Sequence, residues 1–388
     1  MVEPVRPGAA ASLPDTAEVV IVGAGPVGLL LAAELTRRGV DPLLLERRSS
    51  VGGGTRAIGV HAPVLAALEP SGIADRLLAT ATRVSRGEAR SRAGLLGTVR
   101  FDRLDRRFPF VATLAQADTE AAIGGPGVHR GTGVQRVEPE GGRMRVRTTG
   151  GDVRARIVVV AGGAAGRELA YRKGAVRVRA YADRYLMTDV AVDTAKHPVA
   201  IVHLDRPGVL ESFPLPGGRR RFVAWDPVPD DHDPAHQRER LQAALVAHGL
   251  DAAAAQVTAA TGFRVRRAVA PRLRRDRLFV IGDAAHEVSP IGGQGMNLGL
   301  LDAVTLAPLL TQWLRQGEPP TDALDHWERR RVASARTSAT IATLNTALGR
   351  PLAPTADAAR QRLLRILLAP PTGRLFAHAY AMGFDRDA

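Results

Sequence analysis

Val19-Val20-Ile21-Val22-Gly23-Ala24-Gly25-Pro26-Val27-Gly28 is the stretch on which the fold turns. Its opening apolar run, dominated by β-branched side chains, predicts a strand buried on both faces, as in a parallel sheet. Gly23 permits a tight turn, Gly25 lets the backbone approach a pyrophosphate, and Gly28 lets the following helix pack closely on the strand. Leu29 to Arg38 have helical character, and Gly39 stops it. Leu43-Leu44-Leu45 reads as the next strand, closed by Glu46. That carboxylate lies 18 residues beyond Gly28, close to the ~20 at which an acid reaches ribose hydroxyls. The pattern predicts a bound dinucleotide. Its pyrophosphate would sit at the helix N-terminus, where free N–H groups and the dipole favour an anion. This stretch alone leaves FAD and NAD both open.

A second segment bears on that choice. Arg277-Leu278-Phe279-Val280-Ile281 reads as a strand leading into Gly282-Asp283-Ala284-Ala285-His286. Pro290-Ile291-Gly292-Gly293-Gln294-Gly295-Met296-Asn297 follows, with helical spacing from Met296 to Leu310. A carboxylate at a strand end can accept hydrogen bonds from a polyol. A glycine loop opening a helix offers backbone donors to a ring that becomes anionic when reduced.

These residues resemble the second FAD motif of class A flavoprotein monooxygenases, the p-hydroxybenzoate hydroxylase-like family that includes polyketide-tailoring aromatic hydroxylases. The similarity extends to Thr55-Arg56-Ala57-Ile58 and to Leu114-Ala115-Gln116-Ala117-Asp118-Thr119-Glu120, and runs from about Val19 to about Arg331. It implies cofactor contacts from Gly23, Gly25, Pro26, Val27, Gly28, Glu46, Arg47, Arg56, Gln116, Asp283, Pro290, Gly293, Gly295, Met296 and Asn297. It also implies that Pro290, Gly292 and Gly293 lie near the flavin ring. No catalytic side chain is identified, and His286 reads as a structural histidine rather than a catalytic one.

The chain departs from the family pattern at one place. An Asp-Gly…Arg-Ser motif, associated in the family with FAD and NADPH contacts, normally follows a mid-chain strand. Here Ile157-Val158-Val159-Val160 leads into Ala161-Gly162-Gly163-Ala164-Ala165-Gly166-Arg167. A glycine stands at the acid position and the serine is gone.

The expected fold class is α/β. It comprises a Rossmann-type, glutathione-reductase-like FAD-binding domain, an inserted antiparallel-sheet substrate domain and a C-terminal helical segment. Residues 1–16 read as a loose leader; 17–82, 108–170 and 262–312 as the discontinuous FAD-binding domain; 83–107 and 171–261 as the substrate domain; and 313–388 as C-terminal helices. Alternating patterns between Ala175 and Val223, with a hairpin turn at Pro216-Gly217-Gly218, support the inserted sheet. Tyr185, Met187, His203, Phe213, Phe222 and Trp225 are its candidate substrate contacts.

Composition removes other chemistries. With no cysteine there is no disulfide framework, thiolate metal site or cysteine nucleophile. The histidines show no ligand-like register, so no metal is expected. The net charge of +14 suggests nucleic acid, yet Lys173 and Lys196 are the only lysines among 53 cations, an arginine skew that reads as composition. Aromatic residues make up only 4%, too few for base-stacking platforms. No segment approaches the ~20 apolar residues that span a bilayer, so a cytoplasmic protein is expected, without nucleic-acid or membrane partners. The resemblance implies an FAD-dependent monooxygenase, with NADPH as reductant and O₂ as co-substrate. It would hydroxylate or epoxidise an apolar aromatic or polyketide-like small molecule through a flavin C4a-hydroperoxide. The alternative is a protein of the same fold that keeps FAD, uses NADPH poorly and acts as a non-redox cyclase.

Overall fold

A computed structural model describes residues 12–51, 57–104, 106–192, 198–228, 231–370 and 372–385. Arg56 and residues 1–11 of the expected leader lie outside the described residues.

The opening stretch forms the strand Thr16–Val22, the helix Pro26–Arg37 and the strand Pro42–Glu46. Thr16–Val22 lies at the centre of a sheet, parallel to Pro42–Glu46 on one side and to Gly151–Val160 on the other. Val128–Arg130 and Leu278–Val280 extend this parallel core. Val19, Val20, Ile21, Leu44, Ile157, Val158 and Val159 are buried whichever way they point. That is why these strands read as unbroken apolar runs rather than alternating ones.

The second layer is an eight-stranded sheet, ordered His286–Glu287, Thr261–Val269, Val178–Ala191, Arg219–Trp225, Gly208–Leu215, Val199–Asp205, Arg86–Ser91 and Gly94–Arg100. Neighbours are antiparallel except Val199–Asp205 against Arg86–Ser91. Gly217 and Gly218, both at positive φ, close the hairpin between Leu215 and Arg219. The strand Thr261–Val269 belongs to this sheet, so the chain leaves it after Val269 rather than at the expected boundary of 262. Side chains alternate across the sheet. Leu186, Leu210, Phe222 and Ala224 pack on one face against Leu241 and Leu245 of the helix Pro234–Ala247. Met187, Val209 and Val223 face the other way, toward the parallel-sheet layer.

The C-terminal part is helical, at Gly295–Gln316, Thr321–Leu348, Pro354–Leu368 and Thr372–Tyr380. Pro320 occupies the cap position of the helix Thr321–Leu348.

Candidate active site

A cleft of about 900 Å³ runs between the two sheets. One end is bounded by the glycine turn. Gly23 has φ 106°, and a Cβ there would lie 2.7 Å from the Ala161 carbonyl oxygen. A Cβ at Gly28 would come within 1.9 Å of the Gly23 carbonyl oxygen, so only glycine allows this helix to start so close to the strand. At Gly25, by contrast, a Cβ would meet nothing within 4 Å. That backbone borders open space at a helix N-terminus, which is what a pyrophosphate needs. Glu46 ends the second strand and accepts the Ala24 N–H at 3.0 Å. Burial works to raise its carboxyl, but hydrogen bonds from Arg48 and Ala24 outweigh that and hold it below the ordinary glutamate value.

The second glycine segment bounds the middle of the cleft, with Asp283, Pro290, Gly292, Gly293, Gly295 and Met296 at its surface. Asp302, Asn297 and Arg167 bond to this segment directly, and Arg331 supports Asp302. Asp302, fully buried on the long helix, accepts the Gly282 N–H at 3.0 Å and pairs with His286 Nε2 at 2.6 Å. Arg331 donates from Nε to Asp302 at 2.8 Å and from Nη1 to Asp385 at 2.8 Å. Burial disfavours the Asp302 charge, yet His286 and Arg331 bring its carboxyl down to about 2. Asn297 Nδ2 donates to the carbonyls of Gly59 and Gly293, and its Oδ1 accepts the His61 N–H. Arg167, from the departing motif segment, donates to the carbonyls of Asp283 and Ala284 at 2.7 and 3.1 Å. Although that segment lacks the family's acid and serine, it still clamps the second glycine segment.

Most of the expected cofactor residues converge on this cleft. Gly23, Gly25, Pro26, Val27, Glu46, Arg47, Gln116, Asp283, Pro290, Gly293, Gly295 and Met296 all line it. Gly28 and Asn297 do not; they act one layer back, the first through close packing and the second by tying the loop. His286 is likewise buried beneath the loop, in its bond to Asp302.

Of the expected substrate contacts, Met187 and Phe213 line the cleft. Tyr185, His203, Phe222 and Trp225 do not, and strand alternation explains two of them. Phe222 and His203 point to the far face, the latter packing on His248 with ring centroids 6.0 Å apart. Tyr185 shares the parity of Met187 but is fully buried, stacked on Phe263 at 5.7 Å. Trp225, paired with Tyr185 across the strands, directs Nε1 to Asp183 at 3.4 Å.

Several wall residues carried no local signal in the sequence. Leu348, Leu364, Leu368, Phe376 and Tyr380 close one side from the C-terminal helices. His61, buried beside Gly293, has its pKa pushed down to about 4 by desolvation and is therefore neutral. Glu211 faces the cleft from the middle of a strand, and burial pushes its carboxyl up to about 8. Among the described residues, no cluster of His, Asp or Glu could hold a metal ion, and no helix is long and apolar enough to cross a membrane.

A parallel sheet with this glycine turn, a second glycine loop and an attached antiparallel sheet defines a flavin-binding α/β fold. Residues 16–341 match the FAD binding domain family, and the chain belongs to it. It is 33% identical to 6-methylpretetramide 4-monooxygenase of Streptomyces rimosus over 86% of this chain and 64% of that one, so it spans under two thirds of that relative. The fold is similar to p-nitrophenol 4-monooxygenase from Pseudomonas putida, with a TM-score of 0.86 and 25% identity, covering 96% of this chain and 100% of the other. It is also similar to the anhydrotetracycline hydroxylase of Streptomyces rimosus, with a TM-score of 0.74 and 26% identity over 94% and 76% of the two chains.

Proposed function

We propose that this protein is an FAD-dependent monooxygenase that hydroxylates or epoxidises an apolar aromatic or polyketide-like small molecule, with NADPH as reductant and O₂ as the oxygen source. The observation that carries the reading is the continuity of one cleft, from the phosphate turn at Gly25 past the loop at Gly292 to an apolar chamber on the antiparallel sheet. Bound FAD would supply the redox chemistry, passing electrons from NADPH to O₂.

The protein's share is binding, shape and dryness. The helix beginning at Gly295 opens at the loop, where its free N–H groups would stabilise negative charge on a reduced ring. Met187, Val202, Val209, Phe213 and Val223 form one apolar wall and the C-terminal helices the other. Together they exclude water from the reacting atoms. Relatives that act on 6-methylpretetramide and p-nitrophenol support an aromatic substrate.

The test is to load the purified protein with FAD and follow NADPH oxidation with and without aromatic substrates. Flavin bleaching by NADPH and substrate-stimulated oxygen consumption are expected. Protein that takes up no FAD would refute the reading. Yellow protein that NADPH never bleaches would favour a non-redox cyclase, the second reading, which rests on Gly162 standing in the cleft wall where the family has an acid.

A further inference from the structure

The last two helices present two unlike faces. Leu364 and Leu368 of Pro354–Leu368, with Phe376 and Tyr380 of Thr372–Tyr380, line the cleft. On the outer side of the first helix Leu363 is 48% exposed and Ile366 69%, and Leu375 of the second helix is 71% exposed. Ile366 and Leu375 are the most exposed large apolar side chains among the described residues. A tight turn joins the two helices, with Thr372 Oγ1 donating to the Ala369 carbonyl at 2.8 Å and the Gly373 N–H to the same carbonyl at 3.0 Å.

Spacing makes the outer side a stripe. Ala359, Leu363 and Ile366 follow one another at four and three residues and are all exposed, so they share one side of the helix. Arg362 and Arg365 border that stripe, and Arg374 stands next to Leu375; all three are exposed. None of the three makes an ion pair with a described residue. Across residues 353–384 the only acid is Asp357, which is buried and bonded to Arg360 and Gln361. The surface is apolar and cationic, with no exposed acid of its own to balance it.

That combination selects the occupant. Two copies of this face would set arginines against arginines. A protein partner needs a groove shaped to a convex helix and usually finds aromatic anchors on the patch, whereas the exposed groups here are aliphatic side chains and arginines. A bilayer with anionic headgroups takes a convex face of any shape and supplies both the apolar depth and the phosphates. We propose that this face docks on an anionic lipid surface, with Leu363, Ile366 and Leu375 entering the headgroup boundary and Arg362, Arg365 and Arg374 on lipid phosphates. The protein lies on the membrane and does not span it, which differs from the sequence-based expectation of no membrane partner. Under the monooxygenase reading, an apolar substrate dissolved in that layer stands one helix away from the chamber that consumes it.

The chain has no cysteine, so Ile366→Cys, Leu375→Cys and, as a control on the helix Pro234–Ala247, Val246→Cys each give one site for an environment-sensitive fluorophore. The probes are vesicles of phosphatidylglycerol and of phosphatidylcholine. Dye at 366 and 375 should shift to the blue with phosphatidylglycerol and not with phosphatidylcholine, and dye at 246 should shift with neither. Leu363→Ser with Leu375→Ser leaves the charge unchanged and should weaken vesicle binding roughly tenfold or more; Arg362→Gln and Arg365→Gln should each weaken it roughly fivefold. An equal shift at 246 would mean that the net charge of +14 draws the protein to vesicles by any face. A shift that grows with protein concentration without lipid would assign the face to a second copy, and an equal shift on poly-L-glutamate to an acidic protein. Each of these, or full binding by the serine variant, would overturn the proposal. No readout depends on turnover or flavin reduction, so a failure here is distinguishable from a failure of the monooxygenase reading.

Discussion

Asp302→Asn tests whether the second cofactor loop is held from beneath by charge. The carboxylate is buried and has three partners: the Gly282 N–H, His286 Nε2 and Arg331 Nε. Its fall from 3.8 to about 2 corresponds to roughly 2–3 kcal/mol of folding stability. Asparagine also leaves the buried Arg331 charge to Asp385 alone, which brings the expected loss to about 3–5 kcal/mol. The folded-state value is depressed, so this stability is present above pH 3.8 and fades as pH falls through about 2. The gap between wild type and variant, read from urea unfolding midpoints, should thus be flat from pH 7 down to about 4. FAD affinity, followed by quenching of flavin fluorescence, should fall as well, because the Gly282-Asp283 turn loses its anchor. A variant within about 0.5 kcal/mol of wild type at pH 7, with unchanged FAD affinity, would refute the reasoning.

Three further outcomes follow from the same geometry. Gly28→Ala pushes a methyl against the Gly23 carbonyl and should cost about 1–3 kcal/mol or more, with FAD lost on gel filtration. Phe213→Ala should raise the KM for an aromatic substrate, whereas Phe222→Ala, on the far face, should lower stability by about 3–5 kcal/mol with KM little changed; equal effects on KM would contradict the assigned faces. Glu211 has a raised carboxyl, so its neutral form is the stable one in the fold. Stability should decline as pH rises from about 4.5 through about 8, and thermal melts of Glu211→Gln should lack that part of the decline.

The cofactor turn was readable because its requirements are local: Gly23, Gly25 and Gly28 meet steric demands set within a few residues of each other. The same holds for the loop at Gly292 and Gly293, both at positive φ. The substrate wall was not readable in this way. Alternation along Arg219–Trp225 shows that Phe222 and Val223 point oppositely, but not which face the helix Pro234–Ala247 covers. Phe222 therefore looked as suitable for a substrate as Phe213.

The sequence by itself determined a parallel sheet and the two glycine turns that open onto the cleft, because backbone sterics and burial on both faces leave little choice once those residues are in order. Only the tertiary structure decided what the chamber is. It brought Tyr380 and Leu368 from the far end of the chain over the sheet, and set Arg167 under the second loop. It also left one glutamate, Glu211, facing an apolar space. Such contacts join residues more than 100 positions apart, and a chain encodes them only through the sum of its packing.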